Sequence, residues 1–379
     1  MLVRVLVSFL TTAGLFYVNI MPALVDGLKQ SLHFTNQQAG LVGSANVYGA
    51  ALGALSAVFF VQKIQWRKVS TGLLLSLITV DIISMFITQA SVLTMVRFVD
   101  GLIGGALVGI GFAIIAKTYQ PDRTFGMLLL VQFGFGGVGM MLIPQLVESY
   151  GISVLFISLI LFSFVTLLMV PFIPDFEHLT TKKITRSSWK LLTQKPLLLT
   201  LISIFLFQAA NMGLYAFIVG LGKFYGLKIE FISVSLGWAA WIGIIGSLLV
   251  IWLSTRFGLV KTLTLGIGLT ALGTWALIYS ANSLIWILAN LGVGITWAFV
   301  IPYLFSMCAE LDHNGQVAAM GGMASKLGLA SGPVVTGILL GNDNYAYVII
   351  IATLVLLVSL FTSIAAAKAI KDLKSSKSL

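Results

Sequence analysis

Long apolar runs separated by short polar breaks dominate this chain. A run of about 18 or more residues with few or no charges is a candidate membrane-spanning helix. Connections such as 89–91 and 281–283 are so short that the flanking helices must be antiparallel neighbours. Thr35 and Gln38 form a capping-box pattern before the second run, which indicates a helix start. We therefore predict an all-α polytopic membrane protein with twelve transmembrane helices. The predicted spans lie near 5–25, 39–61, 69–90, 92–116, 124–147, 152–173, 197–222, 231–255, 262–280, 283–307, 317–340 and 345–367.

The composition favours a lipid environment. Of the 379 residues, 59% are hydrophobic and 9% are charged, whereas soluble domains carry about 25% charged residues; the mean hydropathy is +1.05. The first run continues to Asp26 without a cleavage-site pattern, so we interpret it as a span and not as a cleaved signal peptide. The single cysteine, Cys308, excludes an intrachain disulfide, and the three histidines lack metal-ligand spacing. We expect neither a metal nor a cofactor.

The distribution of Lys and Arg predicts the orientation. If the amino terminus is cytoplasmic, 17 of the 22 basic residues lie on the inner side. Lys29, Lys223 and Lys228 lie outside, while Arg97 and Lys326 fall within spans. Because cytoplasmic loops carry the excess of Lys and Arg, we predict that both termini are cytoplasmic and that the protein lies in a bacterial inner membrane. This asymmetry accounts for the net charge of +10 without a nucleic-acid partner.

The chain contains an internal repeat. Lys68 and Lys261 follow the second and eighth spans and are 193 residues apart, and Pro144 and Pro333 in the fifth and eleventh spans are 189 apart. A nearly constant offset predicts two parallel six-helix halves with the substrate site between them. The predicted domains are an N-terminal bundle 1–173, a cytoplasmic linker 174–196, a C-terminal bundle 197–367 and a basic cytoplasmic tail 368–379.

Glycine pairs at four-residue spacing predict close helix crossings. They include Gly49 with Gly53 in the second span and Gly101 with Gly105 in the fourth. Small residues at this spacing allow helix backbones to approach each other in membranes. The pattern predicts packing and does not identify a chemistry.

The fourth span carries the most specific motif of the chain. Arg97, Asp100, Gly101 and Gly105 are similar to the R-x-x-x-G-x-x-x-G pattern of the major facilitator superfamily. Together with the repeat, this motif makes the chain resemble that family along essentially its whole length. The resemblance implies the twelve-helix fold of the family, a monomer, and secondary transport by alternating access. It also implies a link between Arg97 and proton coupling.

The loop after the second span resembles the family's G-x-L-x-D-R-x-G-R-K signature. The residues that match in type are Gly53, Leu55, Lys63, Arg67 and Lys68, and a second copy keeps Arg256. In the family, the acid of this loop and its basic partners latch the cytoplasmic side. The resemblance therefore implies a conformational latch at Lys63, Arg67, Lys68 and Arg256. Gln62 and Thr255 stand where the acid is expected, so the usual partner of these cations is missing.

Charged residues inside spans are expensive, at about 2.5–3.5 kcal/mol each, and usually face the bundle interior. Arg97 and Asp100 are three residues apart and can pair on one helix face. Two interpretations are open. In the first, Asp100 takes up a proton and Arg97 switches between Asp100 and a substrate. In the second, the two residues form a static pair. Lys326 has no acidic partner three or four residues away; it holds an anionic group, titrates during transport, or meets a distant acid. Asp81 is interpreted as a packing or hydrogen-bonding residue.

Neutral polar residues supply further candidates. In the family, the first, fourth, seventh and tenth helices line the substrate cavity, which implies a binding role for a set of polar side chains there. Asn and Gln side chains also join helices to each other. Trp238, Trp241 and Trp297 could stack on a flat ligand or serve in packing. The implied cavity residues are Asn19, Asn211, Tyr215, Asn290 and Tyr303.

These features favour a proton-coupled secondary carrier of a small molecule. The glycine-rich fifth span and the eleventh span, 324–333, resemble a bacterial efflux-permease branch and favour efflux. The alternative is import of an anionic metabolite or nutrient, which Arg97 and Lys326 would suit. An intramembrane enzyme would need paired catalytic groups within spans, and a channel would need symmetric rings of pore-lining residues; the sequence has neither pattern.

Overall fold

A computed structural model describes residues 1–61, 64–174, 194–253, 256, 258–311 and 316–377, without the side chains of 122, 316 and 373–377. Helices account for nearly all of these residues. The α-helices are α1 Leu2–Ala13, α2 Phe16–Asn19, α3 Met21–Leu32, α4 Asn36–Phe60, α5 Trp66–Ser84, α6 Ala90–Ile115, α7 Pro121–Tyr150, α8 Ser153–Met169, α9 Lys195–Ala216, α10 Ile218–Phe224, α11 Ile229–Leu253, α12 Leu259–Ala276, α13 Ser283–Glu310, α14 Gln316–Leu340 and α15 Tyr345–Lys377. Short 3₁₀ turns follow α8 (Val170–Phe172) and α12 (Leu277–Tyr279).

The all-α membrane character is confirmed. Within the described ranges, ten helices are long and apolar enough to cross a membrane. The predicted first span is instead divided among α1, α2 and α3, and α5 carries Arg67, Lys68 and Asp81 within its 19 residues. The first break falls at Gly14, where a side chain would collide with the backbone oxygen of Gly104. The predicted capping box is present, with Thr35 accepting from the backbone N–H of Gln38.

The chain divides into two compact units. Unit 1 comprises Met1–Thr181 together with Ala216–Lys223 and Lys228–Gly237. Unit 2 comprises Lys182–Tyr215, Phe224–Leu227 and Trp238–Leu379. Most of the predicted linker 174–196 lies outside the described residues, and the predicted domain boundaries stay a prediction.

Ion pairs hold α10 within unit 1. The ammonium of Lys223 lies 3.0 Å from the Asp26 carboxylate on α3 and 2.6 Å from the Glu148 carboxylate near the end of α7. Lys223 comes from the second half of the sequence, whereas its two partners come from the first. These contacts explain why a short segment distant in sequence belongs to unit 1.

The predicted glycine crossings are confirmed in unit 1. A Cβ added at Gly101 would collide with the backbone oxygen of Asn46, and one at Gly105 would collide with that of Ala50. Gly49 and Gly53 meet the α6 backbone in the same way. Helices α4 and α6 therefore cross in backbone contact, and α4 is fixed against the helix that carries Arg97.

Unit 2 has its own close crossing and its own hydrophobic core. Gly328 and Gly332 of α14 lie against the backbone of α9, and Gly213 of α9 faces Gly332 in return. Helices α12, α13 and α15 enclose core residues such as Leu263, Met307, Leu356 and others of the same kind. The result is that α9, α13 and α14 carry polar side chains on a rigid frame.

We predict that Gly105→Ala destabilises the protein, because the new methyl group forces α4 and α6 apart at Ala50. Overpacking of this kind costs about 1–3 kcal/mol. The measurement is the midpoint of thermal unfolding in detergent. Gly72→Ala on α5 is the matched control, since a Cβ there meets nothing within 4 Å. Equal midpoints for the two variants would contradict a backbone contact between α4 and α6.

Candidate functional site

A buried charge cluster centres on Arg97 of α6, which is fully enclosed at 0% exposure. Its Nη1 atom lies 2.8 Å from Oδ1 of Asp81 on α5 and 3.4 Å from Oδ2 of Asp100 on its own helix. The predicted Arg97–Asp100 pair is confirmed. The shorter contact, however, is made by Asp81, for which the sequence indicated packing or a hydrogen bond to a neighbour and not an ion pair with Arg97.

The α5–α6 hairpin brings Asp81 and Arg97 together. Asp81 lies in the last turn of α5, and Arg97 lies two turns into α6. Side chains on a helix tilt toward its N-terminus, so the long Arg97 side chain points back toward the hairpin turn and the end of α5. The sequence signal for this partner is a short loop between two spans, with an acidic residue shortly before the loop and a basic residue shortly after it.

Neutral groups complete the coordination of the cluster. Arg97 Nη2 donates to the Ser84 hydroxyl at 2.6 Å, and Asn46 Nδ2 donates to Oδ2 of Asp100 at 2.7 Å. The guanidinium also lies 5.2 Å from the ring centre of Phe156, at a distance that suits a cation–π contact. Three helices, α5, α6 and α8, thus contact the guanidinium, and α4 joins the cluster through Asp100.

The cluster is not saturated. Neither Asp100 Oδ1 nor Arg97 Nε has a hydrogen-bond partner among the described residues. A cavity of about 20 Å³ adjoins both carboxyl groups and is lined in part by Tyr17 and Ser163. That volume suits a single water molecule. The site can therefore exchange a proton or hold a water, and it is too small for an organic substrate.

A second polar cluster lies in unit 2. Gln208 of α9 donates from Nε2 to the Ser325 hydroxyl of α14 at 2.7 Å and accepts from the Trp297 indole N–H of α13 at 2.7 Å. The Trp297 ring makes an edge contact with the Tyr215 ring at 6.0 Å between centroids. One glutamine thereby joins three helices and fixes an aromatic side chain.

Lys326 directly follows Ser325 and is half-buried. No described residue makes a hydrogen bond or an ion pair with its ammonium. Lys326 therefore pairs with no acid on its own helix and with no acid on another described helix. Lys326 differs in this respect from Arg97, whose guanidinium pairs with two carboxyl groups.

The other implied cavity residues make mostly local contacts. Asn19 and Gln132 exchange hydrogen bonds that join α2 to α7, at 2.9 and 3.3 Å. Asn211 and Asn290 each donate to a carbonyl of their own helix. Tyr303 lies in the hydrophobic core of unit 2, with its ring against Phe299. The structure brings Asn211 and Tyr215 near the Gln208 cluster by their spacing on α9, and it places the other three elsewhere.

The predicted latch cations find no carboxylate among the described residues. Arg67 donates to the backbone oxygen of Ile173 at 2.6 Å, while Lys68 and Arg256 are exposed. Lys63 lies outside the described residues. Their role as a latch stays a prediction. Within the same described ranges, no three His, Cys, Asp or Glu side chains are grouped as metal ligands.

The fold and its enclosed charges define a multi-pass helical membrane protein with ionisable groups inside its bundle. The family model of the Major Facilitator Superfamily matches residues 5–333. The chain belongs to this superfamily, as its sequence motifs suggested.

Relatives and solved structures agree with this assignment. The chain is 25% identical over 179 residues to the putative niacin/nicotinamide transporter NiaP of Bacillus subtilis (strain 168). The match covers 46% of this chain and 44% of that protein, so the chain spans less than half of this relative's length. A crystal structure of the nucleoside transporter NupG superposes with a TM-score of 0.80 at 13% identity, covering 97% of this chain and 99% of that one. A crystal structure of a point mutant of the same transporter gives a TM-score of 0.72 at 15% identity, with 98% of each chain covered.

We predict that Arg97→Met destabilises the protein strongly, because it leaves two carboxyl groups buried without their cation. Breaking a buried pair in this way costs about 3–5 kcal/mol. Thermal unfolding in detergent measures the loss. Lys228→Met, at an exposed lysine, is the matched control and should leave the midpoint unchanged. A wild-type midpoint for Arg97→Met would show that the cluster does not hold the four helices together.

Proposed function

We propose that this protein is a proton-coupled secondary active transporter, which moves a small organic molecule across the bacterial inner membrane by alternating access and without chemical conversion. It acts as a monomer with protons and the substrate as its partners. The observation that carries the proposal is the enclosed cluster of Arg97, Asp81 and Asp100. Membership of a transporter superfamily supports the same function.

The charge balance of the cluster supports a proton site. Two ionised carboxylates and one guanidinium sum to a charge of minus one, and uncompensated charge inside a membrane protein costs several kcal/mol. One bound proton makes the cluster neutral. Asp100 Oδ1, which has no hydrogen-bond partner among the described residues, is the atom best placed to receive it. The adjoining water-sized cavity gives that proton a place to enter.

The contacts of Arg97 favour proton coupling over direct substrate binding. The hydrogen-bonding and ion-pairing groups around it, Asp81, Ser84, Asp100 and the carbonyl oxygen of Val80, come from α5 and α6. A guanidinium with this coordination has little capacity left for a substrate. We therefore assign Arg97 to the coupling site and look for substrate contacts elsewhere.

The substrate is proposed to be a small polar organic molecule. NiaP and NupG are named for niacin, nicotinamide and nucleosides, which are small heterocyclic compounds. We retain efflux as the proposed direction, on the glycine-rich fifth span and the eleventh-span resemblance. Import of an anionic compound is the second candidate, and the unpaired state of Lys326 among the described residues favours an anion.

We propose twelve spans with both termini in the cytoplasm. The ten long apolar helices account for ten of them, and the broken first segment α1–α3 and the charge-bearing α5 supply the other two. In a Cys308→Ala background, Lys183→Cys should react with a membrane-impermeant maleimide only after permeabilisation, while Lys228→Cys should react on intact cells. The opposite labelling pattern would invert the topology.

We predict that Asp100→Asn abolishes proton coupling. In proteoliposomes with a pH-sensitive dye, addition of a transported compound should move protons with the wild type and not with the variant, because the amide cannot take up the proton. Exchange of labelled for unlabelled substrate, which needs no net proton movement, should persist. The panel of compounds includes niacin, nicotinamide and uridine, tested in both directions across the membrane.

Glu230→Gln, at an exposed carboxyl at the start of α11, is the control and should couple normally. Proton movement by Asp100→Asn at the wild-type rate would remove the cluster from the coupling mechanism. Protons that move opposite to the substrate would support antiport and hence efflux, whereas protons that move in the same direction as the substrate would support import.

A further inference from the structure

Two polar groups in unit 2 lack partners among the described residues. The Lys326 ammonium of α14 makes no hydrogen bond or ion pair with them, and Asn211 Oδ1 of α9 is enclosed without a hydrogen-bond donor. Asn211 is 5% exposed, and its Nδ2 atom is already engaged with the carbonyl oxygen of Phe207. A cation and an acceptor left open in one helical unit cost free energy unless a ligand engages them.

The frame between these groups is rigid and aromatic. Both polar ends of the Gln208 amide are engaged, one by Ser325 and the other by Trp297, each at 2.7 Å. The Trp297 N–H therefore already has its hydrogen-bond acceptor, and only the ring of Trp297 is available to contact a ligand. The Tyr215 ring lies edge-on to it. Gln208 thus acts as a positioning residue for an aromatic surface.

The chain spacing brings the open groups to this frame. Asn211 is three residues after Gln208 and four before Tyr215, which places all three along one face of α9. Lys326 is bonded directly to Ser325, so their Cα atoms are about 3.8 Å apart, and the lysine head is carried on a flexible four-carbon stem. Adjacent residues on a helix point about 100° apart, so Lys326 starts from the neighbouring face of α14, and the length of its stem is what lets the ammonium approach the Gln208 cluster.

We propose that α9, α13 and α14 form a binding site for a small aromatic carboxylate. Its carboxylate pairs with Lys326, its ring packs on Trp297 and Tyr215, and a hydroxyl, amino or ring N–H group donates to Asn211 Oδ1. The inference rests on the proposed transport function and names its substrate class. The proposed site uses residues of unit 2 alone, so its binding can be tested separately from proton coupling.

The site is tested by calorimetry on the purified full chain in detergent. The measured quantity is the affinity for benzoate, benzamide and cyclohexanecarboxylate. Benzoate and benzamide share one shape and differ in charge, whereas benzoate and cyclohexanecarboxylate share the charge and differ in aromaticity. A charge-assisted hydrogen bond contributes enough for about a tenfold difference in affinity or more. Benzoate should therefore bind the wild type at least tenfold more tightly than benzamide, and it should also bind more tightly than cyclohexanecarboxylate, which lacks the aromatic ring.

Variants locate the site. Lys326→Met should lose the preference for benzoate over benzamide, Lys326→Arg should keep it, and Lys228→Met is the control for loss of a remote lysine charge. At least one hydroxybenzoate isomer should bind the wild type more tightly than benzoate, and Asn211→Leu should remove that advantage. The wild-type probe comparison needs no variant, so a folding defect in one of them leaves the test intact.

The results separate this inference from the proposed function. Equal affinity for benzoate and benzamide, no binding of any carboxylate, or an unchanged preference in Lys326→Met overturns the site. Equal binding of cyclohexanecarboxylate overturns its aromatic part. Lys326-dependent binding without proton-driven movement of any compound would support the site and contradict proton-coupled transport. Proton-coupled movement of a compound that binds independently of Lys326 would support proton-coupled transport and contradict the site.

Discussion

A guanidinium that cannot reach water sets the main constraint on unit 1. Arg97 is fully enclosed, and an enclosed charge is tolerated only where opposite charges and hydrogen bonds surround it. Asp81 and Ser84 meet this need from α5, and Asp100 meets it from α6. Because those groups must stay within about 3 Å of one side chain, α5 and α6 cannot separate without leaving a charge unpaired.

Close helix packing and charge compensation depend on each other at the α4–α6 crossing. Gly101 lacks a side chain where the backbone oxygen of Asn46 approaches α6. The same approach places the Asn46 amide 2.7 Å from Asp100, the residue next to that glycine. A larger residue at Gly101 would push α4 away and would remove a donor from the buried carboxylate. The glycine motif of the fourth span is therefore a condition for the polar site as well as for packing.

Sequence reasoning recovered the features that depend on local pattern. Apolar length predicted the membrane helices, and i, i+3 spacing predicted the Arg97–Asp100 pair. It did not identify Asp81 as the closer partner, because which face of α5 meets α6 depends on packing across a hairpin. It also did not single out Gln208, since a hydrogen-bonded link among α9, α13 and α14 joins residues up to 117 positions apart. The break of the first span at Gly14 was likewise missed, because the close approach of Gly14 to the Gly104 backbone is a tertiary contact that local pattern does not show.

The two units differ in how they compensate the charge of a cation within a span, and this difference suggests that the two cations have different roles. Unit 1 surrounds Arg97 with two carboxyl groups, so in the proposed mechanism its charge changes when a proton binds or leaves. Unit 2 carries a half-buried Lys326 with no carboxylate against it among the described residues. An anionic ligand would supply the missing negative charge, and its departure would restore an unfavourable state. Because the two halves of the sequence follow a similar pattern of spans, the proposed ligand and proton chemistry explains this asymmetry in charge compensation more economically than the requirements of folding do.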